Sequence, residues 1–399
     1  MRVLITSSRM PFALAIIRKL AEQGHEVYAS DDYELAPGSH SRYVTERFVT
    51  ASPRDQTEEF IDDVERIATD SGVDAIVPAF EEVFYLSTRH ERLAEVAEPF
   101  CSPFATLLPL HDKQSFERLA TGMGLAMATT VIASTDAELG AALERFPRYF
   151  ARAAFSRGGV SLLTNAGPLA GQVAISDCHP TTANPWLVQE FVDGETFCTY
   201  STVHEGRVVA HCAYSIPRQW KHSTGIQFVA IDGAATLDVV ERIAAETGYT
   251  GQVSFDFIAS PDGPYLVECN PRATDGALLM SSPQLARGLF EPEGECEMVP
   301  EGESIQLDLA IFGGIFAGGL RQMPSTMRDL IEIRGSDRGW HDALPNLYSA
   351  LALARSERLR HSDHSALFVA MAGDISWDGD EIAGMSDMDR RLLAGIGDG

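Results

Sequence analysis

Lysine is nearly missing from this 399-residue chain: among 31 basic residues it stands only at Lys19, Lys113 and Lys221. Against those 31 stand 57 acidic residues, a net charge of -26, which argues against a surface made for nucleic acid or an anionic membrane, since both are polyanions. No apolar run approaches the roughly 18 residues that a membrane span needs. Arg9, Arg18 and Lys19 interrupt the apolar start Met1 to Leu20, which is read as strand and helix and not as a leader. The cysteines Cys101, Cys178, Cys198, Cys212, Cys269 and Cys296 form no Cys-x-x-Cys pair and no Cys/His set of zinc-site spacing. Reduced thiols and a cytoplasmic location are therefore expected. Also missing is the dinucleotide fingerprint G-x-G-x-x-G. Ser7, Ser8 and Arg9 occupy the first strand-to-helix turn, where close approach of a pyrophosphate requires glycine, which argues against an NAD(P) oxidoreductase.

What is there is an ordinary globular composition, 45% apolar, 9% aromatic and 22% charged, long enough at about 100 to 200 residues per domain for two to four domains. Arg2 to Thr6 reads as a strand, Pro11 to Gln23 as a helix stopped by Gly24, and His25 to Ser30 as a second strand. The pattern repeats in a helix over Glu58 to Gly72 and a strand over Val73 to Pro78, so the first hundred residues predict a doubly wound α/β domain with a parallel sheet. Asp112 to Met123 reads as a helix and Tyr149 to Arg152 as a strand. Trp186 to Val192, Thr196 to His204 and Arg207 to Tyr214 read as an antiparallel, α+β region with a turn at His204-Glu-Gly206. A helix follows over Thr236 to Gly248. The acidic Pro- and Gly-rich stretch Glu291 to Glu303 marks a boundary, and beyond it lie a Gly-rich stretch, Ile311 to Leu320, a helix over Leu347 to Glu357 and a polar tail.

The strands Val253 to Ala259 and Tyr265 to Cys269 flank Ser-Pro-Asp-Gly-Pro and predict a hairpin. With Asp262 at its tip, Asp256 and Glu268 fall opposite each other, and Asn270 shares the face of Glu268. Two carboxylates that close repel unless a cation lies between them, and three oxygen donors on one face suit Mg²⁺. A solvated face relieved by an arginine is the other reading of the same spacing, and a register slip of one would separate the pair.

Ser254-Phe-Asp256-Phe-Ile258 with Tyr265-Leu-Val-Glu268-Cys-Asn270-Pro-Arg272 resembles the metal-binding strands of the ATP-grasp superfamily, in particular its carbamoyl-phosphate-synthase-like and biotin-carboxylase-like members, whose pattern is an acidic residue followed by E-x-N-P-R. The resemblance takes in Asp112-Lys113, Phe146 to Arg152 with the loop Ser156 to Ser161, and Gln189 to Glu195. It covers about three quarters of the chain. It implies a pre-ATP-grasp domain over 1–108, an ATP-grasp domain over 109–303 (a small lid subdomain, 109–185, and an antiparallel-sheet subdomain, 186–303) and a C-terminal region over 304–399.

Carried over residue by residue, the resemblance implies that Asp256, Glu268 and Asn270 hold Mg²⁺, with Mn²⁺ as an alternative, against the phosphates of ATP. Lys113, Arg152 and the backbone of Gly158 and Gly159 would bind phosphate, Arg152 standing where many members carry lysine. Gln189 to Val192 would edge the adenine, with the Val192 N–H as donor and the Glu190 carbonyl as acceptor, and Glu195 would take the ribose hydroxyls. Arg272 would meet a phosphate or a substrate carboxylate, and Lys221, in a basic aromatic loop, would reach a phosphate. Without the resemblance Lys113 is a solvated helix start, Gln189 to Glu195 an edge strand with a turn, and Arg272 one half of an ion pair with Asp256 or Glu268. His211 reads as a structural histidine.

The activity so implied is an ATP-dependent carboxylate-amine ligase: phosphoryl transfer gives an acyl phosphate, an amine attacks it, and ADP and phosphate leave. Its partners would be small-molecule acids and amines, amino acids among them; the sequence carries no sign of oligomeric state, and a homodimer is expected only as the commonest assembly of soluble enzymes. A bicarbonate-using carboxylase of the same fold, or a nucleotide-binding regulator without chemistry, are the alternatives.

Overall fold

The computed structural model describes residues 1–155, 162–220, 224–261, 263–307, 335, 341–363, 367–377 and 379. Five strands open the chain: β1 (Arg2–Ile5), β2 (Glu26–Asp31), β3 (Val44–Val49), β4 (Ala75–Val77) and β5 (Glu98–Pro99), all parallel and ordered β3-β2-β1-β4-β5. The helix Pro11–Glu22 follows β1. Pro11 sits in its first turn, where a missing N–H costs nothing, and Phe12, Ile16, Ile17 and Leu20 are buried at helical spacing. The helix Thr57–Ser71 ends on Gly72, whose left-handed φ of 60° would strain any side chain. The parallel sheet is thus as the sequence predicts, with β3 added at an edge, its residues too exposed to alternate legibly.

The strand order reverses between β1 and β4, the place where open α/β sheets take ligands. Here the turn after β1 is tight and filled. Ser7 holds a φ of 48°, and a Cβ on Gly38 would lie 2.3 Å from the Ser8 carbonyl oxygen. Arg9 donates from Nε to Asp31 at 2.8 Å and from Nη1 to Asp374 at 2.8 Å, and also pairs with Asp32. The segment carrying Asp374 is seated by further ties. The Tyr85 hydroxyl donates to the Ser376 carbonyl at 2.8 Å, the Trp377 N–H donates to Glu81 Oε2 at 2.9 Å, and the Trp377 ring packs with Phe84 and Phe104 at 5.2 and 5.8 Å.

Four strands then form an antiparallel sheet, β6 (Thr130–Ala133), β7 (Tyr149–Ala153), β8 (Leu162–Thr164) and β9 (Trp186–Glu190), ordered β6-β9-β7-β8. Next come β10 (Thr196–His204), β11 (Arg207–Trp220), β12 (Thr224–Ile231), β13 (Gly251–Ser260), β14 (Gly263–Asn270), β15 (Glu297–Met298) and β16 (Ser304–Gln306). Glu205 and Gly206 join β10 to β11 with φ of 46° and 81°, the two positive values that a type I′ turn requires. β11 runs on past Tyr214 through Pro217, because the register against β12 shifts between Ser215 and Arg218 and the irregularity accommodates a residue without an N–H. The C-terminal helix covers Leu344–Asp363, longer at both ends than its sequence pattern; Ile311 to Leu320 lie outside the described residues.

The chain forms two compact units. The first comprises 1–107, 198–254 and 271–377, and its core joins Val3, Ile5, Ile16 and Leu20 to Tyr200, Phe228 and Leu285. The second comprises 108–197, 255–270 and 378–399, with Leu139, Leu143, Phe146, Trp186 and Val188 at the centre of its core.

Candidate active site

In the second unit, β13 and β14 are neighbours in one sheet, as the hairpin reading expects; the expected tip residue, Asp262, lies outside the described residues. Phe255 and Phe257 alternate with Asp256 along β13. Their rings are buried against Phe116 at 6.1 Å and Phe197 at 5.4 Å, which turns Asp256 to the opposite, half-buried face. On β14 Glu268 and Asn270 stand two residues apart, both half-buried.

Two cations converge on Glu268. Arg152, from β7, donates Nη1 to Glu268 Oε2 at 2.5 Å and Nη2 to the Val267 carbonyl at 2.8 Å. Lys113 Nζ lies 3.7 Å from the same carboxylate oxygen and donates to the Ala154 carbonyl at 3.4 Å. The side chains of Arg152 and Lys113 are each 9% exposed and that of Glu268 21%. Lys113 is therefore no solvated helix start. It occupies the first turn of the helix Lys113–Gly122, where the helix dipole disfavours a cation; Asp112, capping the Gln114 and Ser115 N–H groups at 3.2 and 3.0 Å, and the Glu268 carboxylate offset that. Burying two cations around one carboxylate lowers stability unless a further anion joins them. Arg152 Nε is buried and finds no hydrogen-bond acceptor among the described residues. The sequence left open whether a metal or an arginine relieves the hairpin carboxylates; in this structure an arginine takes Glu268.

The donor set fits the metal that the resemblance implies. Two carboxylates and an amide, with no thiolate or imidazole, are the ligands of Mg²⁺ or Mn²⁺. Among the described residues no three His, Cys, Asp or Glu side chains gather into a cage. Mg²⁺ typically takes one or two carboxylates and completes its shell with phosphate and water.

β9 is a central strand between β6 and β7, which corrects the reading of Gln189 to Glu195 as an edge. Gln189 is buried and donates Nε2 to the Thr130 hydroxyl at 3.1 Å. Glu190 N–H bonds to the Thr129 carbonyl and Phe191 N–H to the Arg148 carbonyl, both at 3.0 Å. The next N–H, of Val192, donates to nothing among the described residues. The Arg148 guanidinium lies 4.6 Å from the Phe191 ring centroid and pairs with Asp193. Glu195 is exposed, while its carbonyl accepts from Ala259 N–H at 2.8 Å. Gly194 makes that contact reachable: a Cβ there would stand 2.0 Å from the Ala259 oxygen and 2.6 Å from Ile258 Cγ2. Gly194→Ala is expected to push the Glu195 turn off β13 and weaken ATP binding roughly tenfold or more, a misplacement cost, measurable by titration calorimetry; unchanged affinity would detach this turn from the nucleotide.

Arg272 belongs to the first unit, where its Nε lies 3.4 Å from Glu81 Oε1, its guanidinium 4.7 Å from the Phe80 ring centroid, and its Nη1 donates to the Ala273 carbonyl at 3.2 Å. Glu81 is 1% exposed and went unnoticed in the sequence. The available signal was Glu81-Glu82, adjacent acids inside the apolar run that follows β4 at the reversal of strand order. Lys221, Gly158 and Gly159 lie outside the described residues. His211 is a structural group: Ser201 and Thr236 hydroxyls bond its two ring nitrogens at 2.8 and 3.0 Å, and burial pushes its pKa down to about 4.

No protein-family model and no curated protein matches the chain. Solved structures do. The N5-carboxyaminoimidazole synthetase of Staphylococcus aureus, solved with ADP, is 11% identical with a TM-score of 0.60, over 79% of this chain and 86% of that one. The phosphoribosylamine–glycine ligase of Thermotoga maritima is 18% identical with a TM-score of 0.56, over 76% and 78%. The biotin carboxylase domain of Hydrogenobacter thermophilus 2-oxoglutarate carboxylase, in complex with MgADP, ADP and bicarbonate, is 15% identical with a TM-score of 0.56, over 74% and 71%. At such identities the likeness is one of fold, and the fold is ATP-grasp, as the hairpin motif led one to expect.

Proposed function

We propose that the chain is a Mg²⁺- and ATP-dependent ligase that activates a carboxylate as an acyl phosphate and couples it to an amine. The observation that carries this reading is the convergence of Arg152 and Lys113 on Glu268. Two nearly buried cations meet at Glu268, and among the described residues the buried Arg152 Nε has no acceptor, so the cluster suits a polyanion. The ADP and MgADP complexes belong to the neighbours and support the nucleotide assignment by analogy of fold.

In the bound state Arg152 and Lys113 exchange Glu268 for phosphate oxygens. The guanidinium holds its partners in a rigid plane and the ammonium acts as a point charge, so Arg152 in place of lysine fixes phosphate orientation more tightly. Asp256, Glu268 and Asn270 hold the metal, which supplies neutralisation of phosphate charge when bound. The open Val192 N–H donates to the base, and Glu195 accepts from the ribose. An acid oxygen attacks the terminal phosphorus and ADP departs; the amine nitrogen then attacks the acyl carbon, phosphate leaves, and the amine loses a proton. Positioning and electrostatics suffice, without a covalent enzyme nucleophile.

The test is ADP release and hydroxamate formation with Mg·ATP, hydroxylamine and a panel of carboxylic acids. Acid-dependent hydroxamate is the expected result. ADP release that needs only bicarbonate would transfer the assignment to a carboxylase, and nucleotide binding without ADP release across the panel would make the chain a nucleotide-binding regulator.

A further inference from the structure

Glu268 has two claimants. The donor set offers its carboxylate to a divalent cation, and in this structure Arg152 Nη1 and Lys113 Nζ stand 2.5 and 3.7 Å from one and the same oxygen, Oε2. Neither cation is a loose surface group. The Arg152 backbone is paired on both sides, with Leu162 on β8 and Leu187 on β9, its Nη2 donates to the Val267 carbonyl at 2.8 Å, and its guanidinium lies 6.0 Å from the Phe150 ring centroid. Lys113 donates to the Ala154 carbonyl at 3.4 Å, and both side chains are 9% exposed.

A divalent ion bonds its oxygens directly, and a guanidinium already hydrogen-bonded to such an oxygen stands in its place. Like charges that close repel, so the ion reaches Glu268 only by parting Arg152 from it. That step strands a nearly buried guanidinium, the costly half of breaking a buried pair. Phosphate oxygens reverse the balance. They give Arg152 new anionic acceptors as it releases the old one, and its Nε, buried and without an acceptor among the described residues, is a further donor for them. We propose that the pair of Arg152 and Glu268, with Lys113 beside it, is a latch on the metal site: it masks a metal ligand in the free protein and opens when phosphate arrives, so that nucleotide binds first and the divalent ion second. The inference takes its nucleotide and its metal ligands from the ligase reading and does not depend on which acid is activated, or on whether any is.

The test uses the full chain with two probes: Mn²⁺, followed as free ion by electron paramagnetic resonance, and a non-hydrolysable ATP analogue, followed by titration calorimetry. For the wild type the expected result is that the analogue binds in the presence of EDTA, whereas Mn²⁺ alone binds at least about tenfold more weakly than it does to Arg152→Met, whose neutral side chain cannot hold the carboxylate. Removing a nearby charge favours a cation in any case, and a double-mutant cycle separates that from unmasking. Glu268→Gln should leave the Mn²⁺ affinity of the otherwise wild-type chain nearly unchanged, since the ligand is masked there, and should lower it at least about tenfold in the Arg152→Met background. Equal losses in the two backgrounds, or an analogue that binds only after Mn²⁺, overturn the proposal. The wild-type order of binding decides by itself if Arg152→Met fails to fold. An intact latch in a chain that forms no hydroxamate would overturn the ligase reading and support this inference; hydroxamate from a chain that takes Mn²⁺ on Glu268 before nucleotide would do the reverse.

Discussion

Glu268→Gln is expected to lower ADP release on the order of a hundredfold or more, because it removes a metal-ligand charge where several kcal/mol of transition-state stabilisation are at stake. The same change should also destabilise the free protein. Arg152 and Lys113, both nearly buried, lose the carboxylate that lies 2.5 and 3.7 Å from them. Removing one partner of a buried pair costs about 3–5 kcal/mol; with Glu268 one-fifth exposed and glutamine keeping an oxygen in place, about 1–3 kcal/mol is the reasonable share. The two effects separate in one experiment. Inorganic phosphate or ATP without metal should raise the melting temperature of Glu268→Gln more than that of the wild type, since the added anion replaces the missing carboxylate. Full turnover in the variant would remove Glu268 from the chemistry. An unchanged melting temperature with no extra response to phosphate would mean that the two cations do not depend on it.

The sequence announces some of this and hides the rest for definite reasons. The parallel sheet is legible because Phe12, Ile16, Ile17 and Leu20 repeat at helical spacing beside short β-rich runs, so that local pattern and tertiary burial coincide. The hairpin is legible because Phe255, Asp256 and Phe257 alternate and because the E-x-N-P-R run is an uncommon string. Lys113 is different. Beside Asp112 and Gln114 it looks like any polar helix start, and its burial follows from β7 and β14 lying above it, which no local pattern encodes. Pro217 likewise reads as a strand breaker, and only the register shift against β12 shows how β11 carries it. Val192 illustrates a third case: a backbone N–H has no side-chain signature, so its openness emerges only when the bonds of Glu190 and Phe191 have been accounted for.

Trp377→Ala is expected to cost about 3–5 kcal/mol, the range for removing a fully buried tryptophan. The ring is 1% exposed between Phe84 and Phe104, and the residue lies nearly three hundred positions from Glu81, to which its N–H donates, so nothing in the surrounding polar tail marks it. Denaturant melts measure the loss. Trp377→Phe, which keeps an aromatic in the slot, should lose clearly less, and Tyr85→Phe, which removes only the bond to the Ser376 carbonyl, about 1 kcal/mol. A loss below about 1 kcal/mol for Trp377→Ala would mean that this segment does not seal the end of the parallel sheet. If it does, the consequence extends to recognition. Glu81 holds Trp377 with one oxygen and faces Arg272 with the other, so unseating the tryptophan frees that carboxylate to turn fully onto the guanidinium. Where Arg272 meets the substrate carboxylate, as the resemblance implies, the half-saturating concentration of the acid should then rise with that of ATP unchanged, and Trp377→Phe should restore it. A parallel rise for both substrates would instead mark a general loosening of the fold.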